Sequence, residues 1–215
     1  MTYFFIFHWL YSLLFLEKQV RGTSMEAQLW APSDLRTSHR REKRLMQRME
    51  VFIEELDKSR FYRHFRHLLR TSSISEHIRK VLGRHIKMQM VIYGIGSFES
   101  CQHSALQLSL AILMQKDFEW IGDIQVFDPI LSTIECRILD TIGCCVLNFN
   151  EKGMRKAIKP TLFFMPHCDE SLYDDLLEVN WNPGLLSNVV IFGNSFHLYL
   201  DRKSSMVPIA AAISS

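Results

Sequence analysis

The sequence has no Cys-x-x-Cys pair, and its five cysteines, at 101, 136, 144, 145 and 168, form an odd set. That argues against a disulfide framework and against a standard structural zinc site, and it points to a reducing compartment. A strong charge of one sign is also missing, because 25 basic residues nearly balance 23 acidic ones, leaving a formal net charge of +2. Net charge alone therefore names no polyanionic partner. Neither an internal repeat nor a long low-complexity linker divides the 215 residues, so one substantial domain with an extension is expected. The first sixteen residues, MTYFFIFHWLYSLLFL, lack Lys, Arg, Asp and Glu. They also lack the positive n-region and clear cleavage site of a signal peptide, and fall short of the roughly 20 apolar residues of a spanning helix. We expect residues 1–24 to be an apolar leader or a non-native extension with Met25 as the working start, and a membrane to be a partner only if the leader is retained.

What is present is apolar enough, at 47% hydrophobic residues, for an ordinary packed core. Basic residues gather between Arg36 and Arg70, whereas acidic ones concentrate from Asp117 to Asp175. In the basic stretch, apolar residues recur every three or four positions over 38–56, 61–69 and 74–82, with Gly83 as a stop. That spacing predicts amphipathic helices whose charges face water. Residues 25–87 are thus a basic helical segment, 88–203 a Rossmann-like domain and 204–215 an unstructured tail.

From Met88 onward, short apolar runs alternate with helical patterns. Strands are expected at 88–93, 124–127, 144–147, 162–165 and 189–192, with helices at 105–114, 133–141 and 172–179. Alternation of this kind predicts an α/β fold, a mostly parallel sheet of about five strands with flanking helices. The adjacent Cys144 and Cys145 should point to opposite faces of their strand.

Every expected strand runs into Gly, Asp, Asn or His at its carboxyl end, the edge where open α/β sheets bind ligands. Gly94, Gly96 and Ser97 form a turn that either approaches an anion or simply caps a helix. Position 99 is Glu, where the dinucleotide fingerprint has its third glycine, so dinucleotide binding is disfavoured. Asp128 is placed either to hold ribose hydroxyls or to close an ordinary turn with Pro129. His167 sits beside Cys168 without further ligands at metal-binding spacing, which suits a pocket lining better than zinc. Gly193, Asn194 and Ser195 complete the expected crevice. No residue is assigned a catalytic role, no metal site is expected and the cofactor stays unknown.

Taken in order, YGIGSFES at 93–100, QLSLAIL at 107–113, VFDPILS at 126–132, ECRILDTIGCCVL at 135–147, PTLFFMPHC at 160–168, LYDDLLEVNW at 172–181 and VVIFGNSF at 189–196 form one series. That series resembles the SENSITIVITY TO RED LIGHT REDUCED-like family, plant members in particular, over about Phe61 to Phe196. The resemblance implies a regulator of red-light (phytochrome B) signalling and of the circadian clock, including flowering time and gene repression. It further implies a nuclear and cytoplasmic location and work through signalling or transcriptional protein partners. Beside it stands the alternative of an S-adenosylmethionine- or nucleotide-binding enzyme, motivated by Gly94, Gly96 and Asp128. Direct nucleic-acid binding through the Arg36–Arg70 arm is the less favoured third reading. The chain departs from the family pattern soon after Phe196, and a sheet that lacks its last helix should expose one face of its fifth strand.

Overall fold

The computed structural model describes residues 28–32 and 34–194. The expected leader, the tail and Ser195 lie outside the described residues. A short strand β1 (Gln28–Leu29) precedes three helices, α1 (His39–Lys58), α2 (Arg60–Leu69) and α3 (Ser72–Leu82). Ser59 separates the first two: its backbone is extended, and its hydroxyl accepts from the Tyr62 N–H at 3.0 Å, so one residue ends α1 and caps α2. Gly83, at φ 55°, ends α3 in the left-handed region that glycine enters without strain.

The remaining elements are β2 (Met88–Tyr93), α4 (Gln102–Asp117), β3 (Ile121–Phe127), α5 (Thr133–Thr141), β4 (Cys144–Val146), β5 (Phe149–Asn150), β6 (Thr161–Met165), α6 (Glu170–Val179), α7 (Pro183–Leu186) and β7 (Val189–Gly193). Five of these strands form one sheet in the order β4-β3-β2-β6-β7, with every neighbouring pair parallel. Counted along the chain within the sheet, that order is third, second, first, fourth, fifth, the doubly wound arrangement of Rossmann-type domains. The α/β class and the parallel sheet are therefore as the sequence leads one to expect. The strand order reverses between β2 and β6, which makes the gap at their carboxyl ends the place to look for a site.

Alternation along each strand divides the core in two. Met90, Ile92, Ile124, Val126, Phe164 and Phe192 face one side, in a cluster that also takes in Leu45, Met49, Tyr62, Phe65 and Ile78 from the N-terminal helices. Val91, Tyr93, Phe163, Met165 and Ile191 face the other, against Leu147, Ala157, Tyr173 and Leu176. Helix α4 is apolar on all sides because it is sandwiched, with the sheet beneath it and α1 above. The Tyr62 hydroxyl fixes that stack by bonding to the Leu113 carbonyl and the Asp117 carboxylate, both at 2.9 Å. The expected exposure of the fifth strand is corrected: Val190 and Phe192 are 4% and 6% exposed, and Phe65 of α2 meets Phe192 edge-on at 6.0 Å. A helix from before the sheet covers that face.

One crossover carries no helix. Between β4 and β6 the chain runs irregularly, and polar side chains hold it in place of an apolar helix face. The fully buried Asn180 accepts from the Ala157 N–H at 2.7 Å and donates to the carbonyls of Arg155 and Leu176, each at 2.8 Å. Glu151 pairs with Arg155 and accepts from the Tyr93 hydroxyl, while Arg155 also reaches Gln125 in the sheet. Buried backbone that lacks a regular partner needs such substitutes.

Candidate functional site

The carboxyl ends of the five parallel strands gather Gly94, Gly96, Ser97, Asp128, His167, Gly193 and Asn194 along one edge of the sheet. Gly94 and Gly96 both take positive φ, 64° and 72°, so the turn after β2 requires glycine at each. Space demands it as well. A Cβ at Gly94 would stand 2.7 Å from the Cys168 sulfur, and one at Gly96 would stand 2.9 Å from the Ser104 hydroxyl.

In a nucleotide-binding turn the freed N–H groups wait for phosphate. Here two of them, those of Gly96 and Glu99, already hold carboxylates of the same chain. Asp128, 5% exposed, accepts from the Gly96 N–H at 2.7 Å and from the Ile130 N–H at 3.0 Å. Glu135, 1% exposed, accepts on one oxygen from the Ser97 hydroxyl (2.8 Å) and the Glu99 N–H (2.9 Å). Its other oxygen accepts from the N–H and hydroxyl of Ser132 at 2.8 and 2.9 Å, completing a capping box at the start of α5. Ser97 does not cap α4: it accepts from the Ser100 N–H at 3.2 Å within the turn, and Cys101 stands at the head of the helix.

The gap at the reversal of strand order is filled in the same manner. Cys168, 6% exposed, donates its thiol to the Tyr93 carbonyl at 3.3 Å, between the ends of β2 and β6. Burial first, then the Asp128 and Asp169 charges, push that thiol up to about 12, so it stays protonated and unreactive at neutral pH. His167 points outward and is exposed. At the neighbouring strand ends the Tyr173 hydroxyl donates to the Met165 carbonyl and accepts from the Asn194 N–H at 3.1 Å. Gly193 leaves room for that ring, since a Cβ there would lie 2.2 Å from the hydroxyl oxygen.

A strap crosses the end of β3. The Trp30 indole meets Phe127 edge-on at 5.5 Å and donates to the Pro129 carbonyl at 3.3 Å, and the Asp34 carbonyl accepts from Thr133. Strand β1 pairs with β5 beside it. On the outer side of the glycine turn, α1 closes down. Arg41 forms a two-pronged ion pair with Glu99, and Arg48 donates to the carbonyls of Phe98 and Glu99 at 2.5 and 2.6 Å. Some of the basic residues expected to face water are thus structural clamps.

Sequence reasoning did not single out Glu135, Tyr173 or Trp30. Ser132-Thr133-Ile134-Glu135 carried a readable signal, the Ser-x-x-Glu spacing of a capping box. Among the described residues, no group of three or more His, Cys, Asp and Glu side chains is gathered to hold a metal, and no helix is long and apolar enough to cross a membrane.

Comparison with known proteins matches residues 71–214 to the SRR1 domain. Over 178 residues, 82% of this chain and 65% of the relative, it is 47% identical to the Arabidopsis thaliana protein SENSITIVITY TO RED LIGHT REDUCED 1. An SRR1-like protein of Mus musculus is 41% identical over 120 residues, covering 55% of this chain and 47% of the relative. One from Drosophila melanogaster is 30% identical over 123 residues, covering 57% and 42%. The chain therefore spans between about two-fifths and two-thirds of the length of these curated relatives. No solved structure gives a significant match.

Proposed function

The chain belongs to the SRR1 domain family, and from that premise we propose that it is a regulator of red-light signalling and of the circadian clock. At finer grain, the proposal places it in phytochrome B signalling and in the control of flowering time and gene repression. It works there in nucleus and cytoplasm through signalling or transcriptional protein partners. The name of the Arabidopsis relative supports the red-light part. The structural support is one observation: in the glycine turn the N–H groups of Gly96 and Glu99 are bonded to Asp128 and Glu135. A phosphate arriving there meets two buried side chains that already occupy these two donors.

The test is complementation. Expressed in Arabidopsis plants lacking the relative, the chain should restore the red-light growth response and the clock period. Plants that keep the mutant phenotype while accumulating the protein would remove the proposal.

The second reading, an S-adenosylmethionine- or nucleotide-binding enzyme, keeps the strand order and the two positive-φ glycines in its favour. A ligand of the native state raises the melting temperature by mass action. We expect S-adenosylmethionine, NAD and ATP at millimolar concentration to leave it unchanged. A shift that Asp128→Asn abolishes would instead show a ligand at the turn and favour this second reading.

A further inference from the structure

Helix α1 carries its charges against its own dipole. Its N-terminal half holds Arg40, Arg41, Lys43, Arg44 and Arg48 against the single acid Glu42, and its C-terminal half holds Glu50, Glu54, Glu55 and Asp57 against the single base Lys58. A helix favours the reverse, acids at the N-terminus and bases at the C-terminus. Arg40, Arg44 and Arg48 also follow one another at intervals of four, and like charges at that spacing destabilise a helix. The fold uses Arg41 and Arg48 as clamps on the glycine turn. It makes no comparable use of Arg40, Lys43 and Arg44, which are exposed and form no ion pair among the described residues. Beside them lies an open groove of about 320 Å³, lined by Arg41, Arg44, Leu45, Arg48 and Glu99.

We infer that this groove, with the Arg40–Arg44–Arg48 row along its rim, is a docking site for an extended acidic peptide segment of a protein partner. The pitch fits. Residues four apart on a helix rise by about 6 Å, and alternate residues of an extended peptide are about 6.6 Å apart, so successive carboxylates can face Arg40 and Arg44 in one register, with Arg48, held by the glycine turn, at its end. Guanidinium recognises carboxylate through two parallel hydrogen bonds, and Arg44 brings all its donors to that pairing. Glu99 at the inner wall is paired with Arg41 and leaves the groove's rim basic, so a peptide rather than nucleic acid follows from the protein partners of the regulatory proposal. The inference deepens the regulatory proposal by locating a partner surface, and it rests on that proposal for the partner being a protein.

The experiment titrates the full chain into a fluorescein-labelled eight-residue peptide of alternating Asp and Ser, at low salt, with labelled single-stranded dT8 in parallel. Binding of the peptide, weakened at least tenfold in Arg40→Ala/Arg44→Ala, is the expected result. Anisotropy that stays flat, or binding equally tight to the double variant, overturns the site. Binding of dT8 tighter than the peptide overturns the peptide assignment in favour of nucleic acid. The double variant should melt at the wild-type temperature or slightly above it, because it loses only repulsion. A lower melting temperature would show the arginines to be structural and would also count against the site. This titration is independent of complementation, so failure of the groove and failure of the red-light role are separately visible.

Discussion

Cys101 differs from the other cysteines in its electrostatic setting. It is exposed at the head of α4, where the nearby N–H and side-chain donors of Ser104 and then His103 favour the thiolate and bring its thiol down to about 7, from an ordinary value of 9.0. The thiolate is the nucleophile, and a thiol lowered in this way presents more of it at neutral pH than an ordinary one. Iodoacetamide at pH 7 should therefore modify Cys101 well before the buried Cys144 and Cys168, with a rate that rises through pH 7 and levels above pH 8. Peptide mass spectrometry over a pH series reads this directly, and a rate still climbing as steeply at pH 9 would contradict it. The packing of Gly193 leads to a second residue-level expectation. Gly193→Ala places its methyl group inside the space of the Tyr173 hydroxyl, and such overpacking costs about 1–3 kcal/mol. Tyr173→Phe removes the nearest atom, so the double variant should lose less than the sum of the single ones, a coupling that urea titration of the four proteins would measure. Additive losses would mean that the ring moves aside freely.

At the scale of elements, the helices and the five strands of the main sheet were legible because each carries a period, three to four residues in α1–α3 and buried runs in β2, β6 and β7. The two-residue strands β1 and β5 and the single turn of α7 were not, because a pair of residues has no period and Pro183 resembles a loop breaker as much as a first helical residue. The start of β3 was hidden by Gly122 and Asp123, which interrupt its apolar run. At the site, the glycine turn and Asp128 could be read, whereas their mutual bond could not, since it joins positions 32 apart in sequence. Cys144 and Cys145 do lie on opposite sides, but Cys145 is exposed where a buried or half-buried side chain is expected, because β4 is an edge strand. The N-terminal helices share the sheet's core, so their removal should be as damaging as a core lesion. Met49→Ala, at a fully buried position, should cost about 2–4 kcal/mol by urea unfolding. A loss below 1 kcal/mol would show α1 to be an appendage.

The whole molecule stores protonated groups inside. Burial is the first cause that raises the buried Cys144 and Cys168 to about 12. Tyr62 and Tyr93 are likewise pushed above their ordinary value of 10.0 by burial and by Asp117 and Glu151 respectively. The folded state thus holds protons that the unfolded chain releases from about pH 9 upward. Stability from this source is complete below pH 9 and is lost as pH rises from 9 toward 12, by about 2 kcal/mol per buried thiol at pH 10.5. Urea midpoints at pH 8 and pH 10.5 test it, and equal midpoints would refute it. The self-bonded glycine turn has its own consequence at this scale. Asp128 and Glu135 are tethered to the donors they occupy, so any dissolved phosphate competes with rivals whose effective concentration is of millimolar order or higher. A nucleotide would have to displace both tethered carboxylates to reach these two donors, which sets the concentration it needs at millimolar order or above.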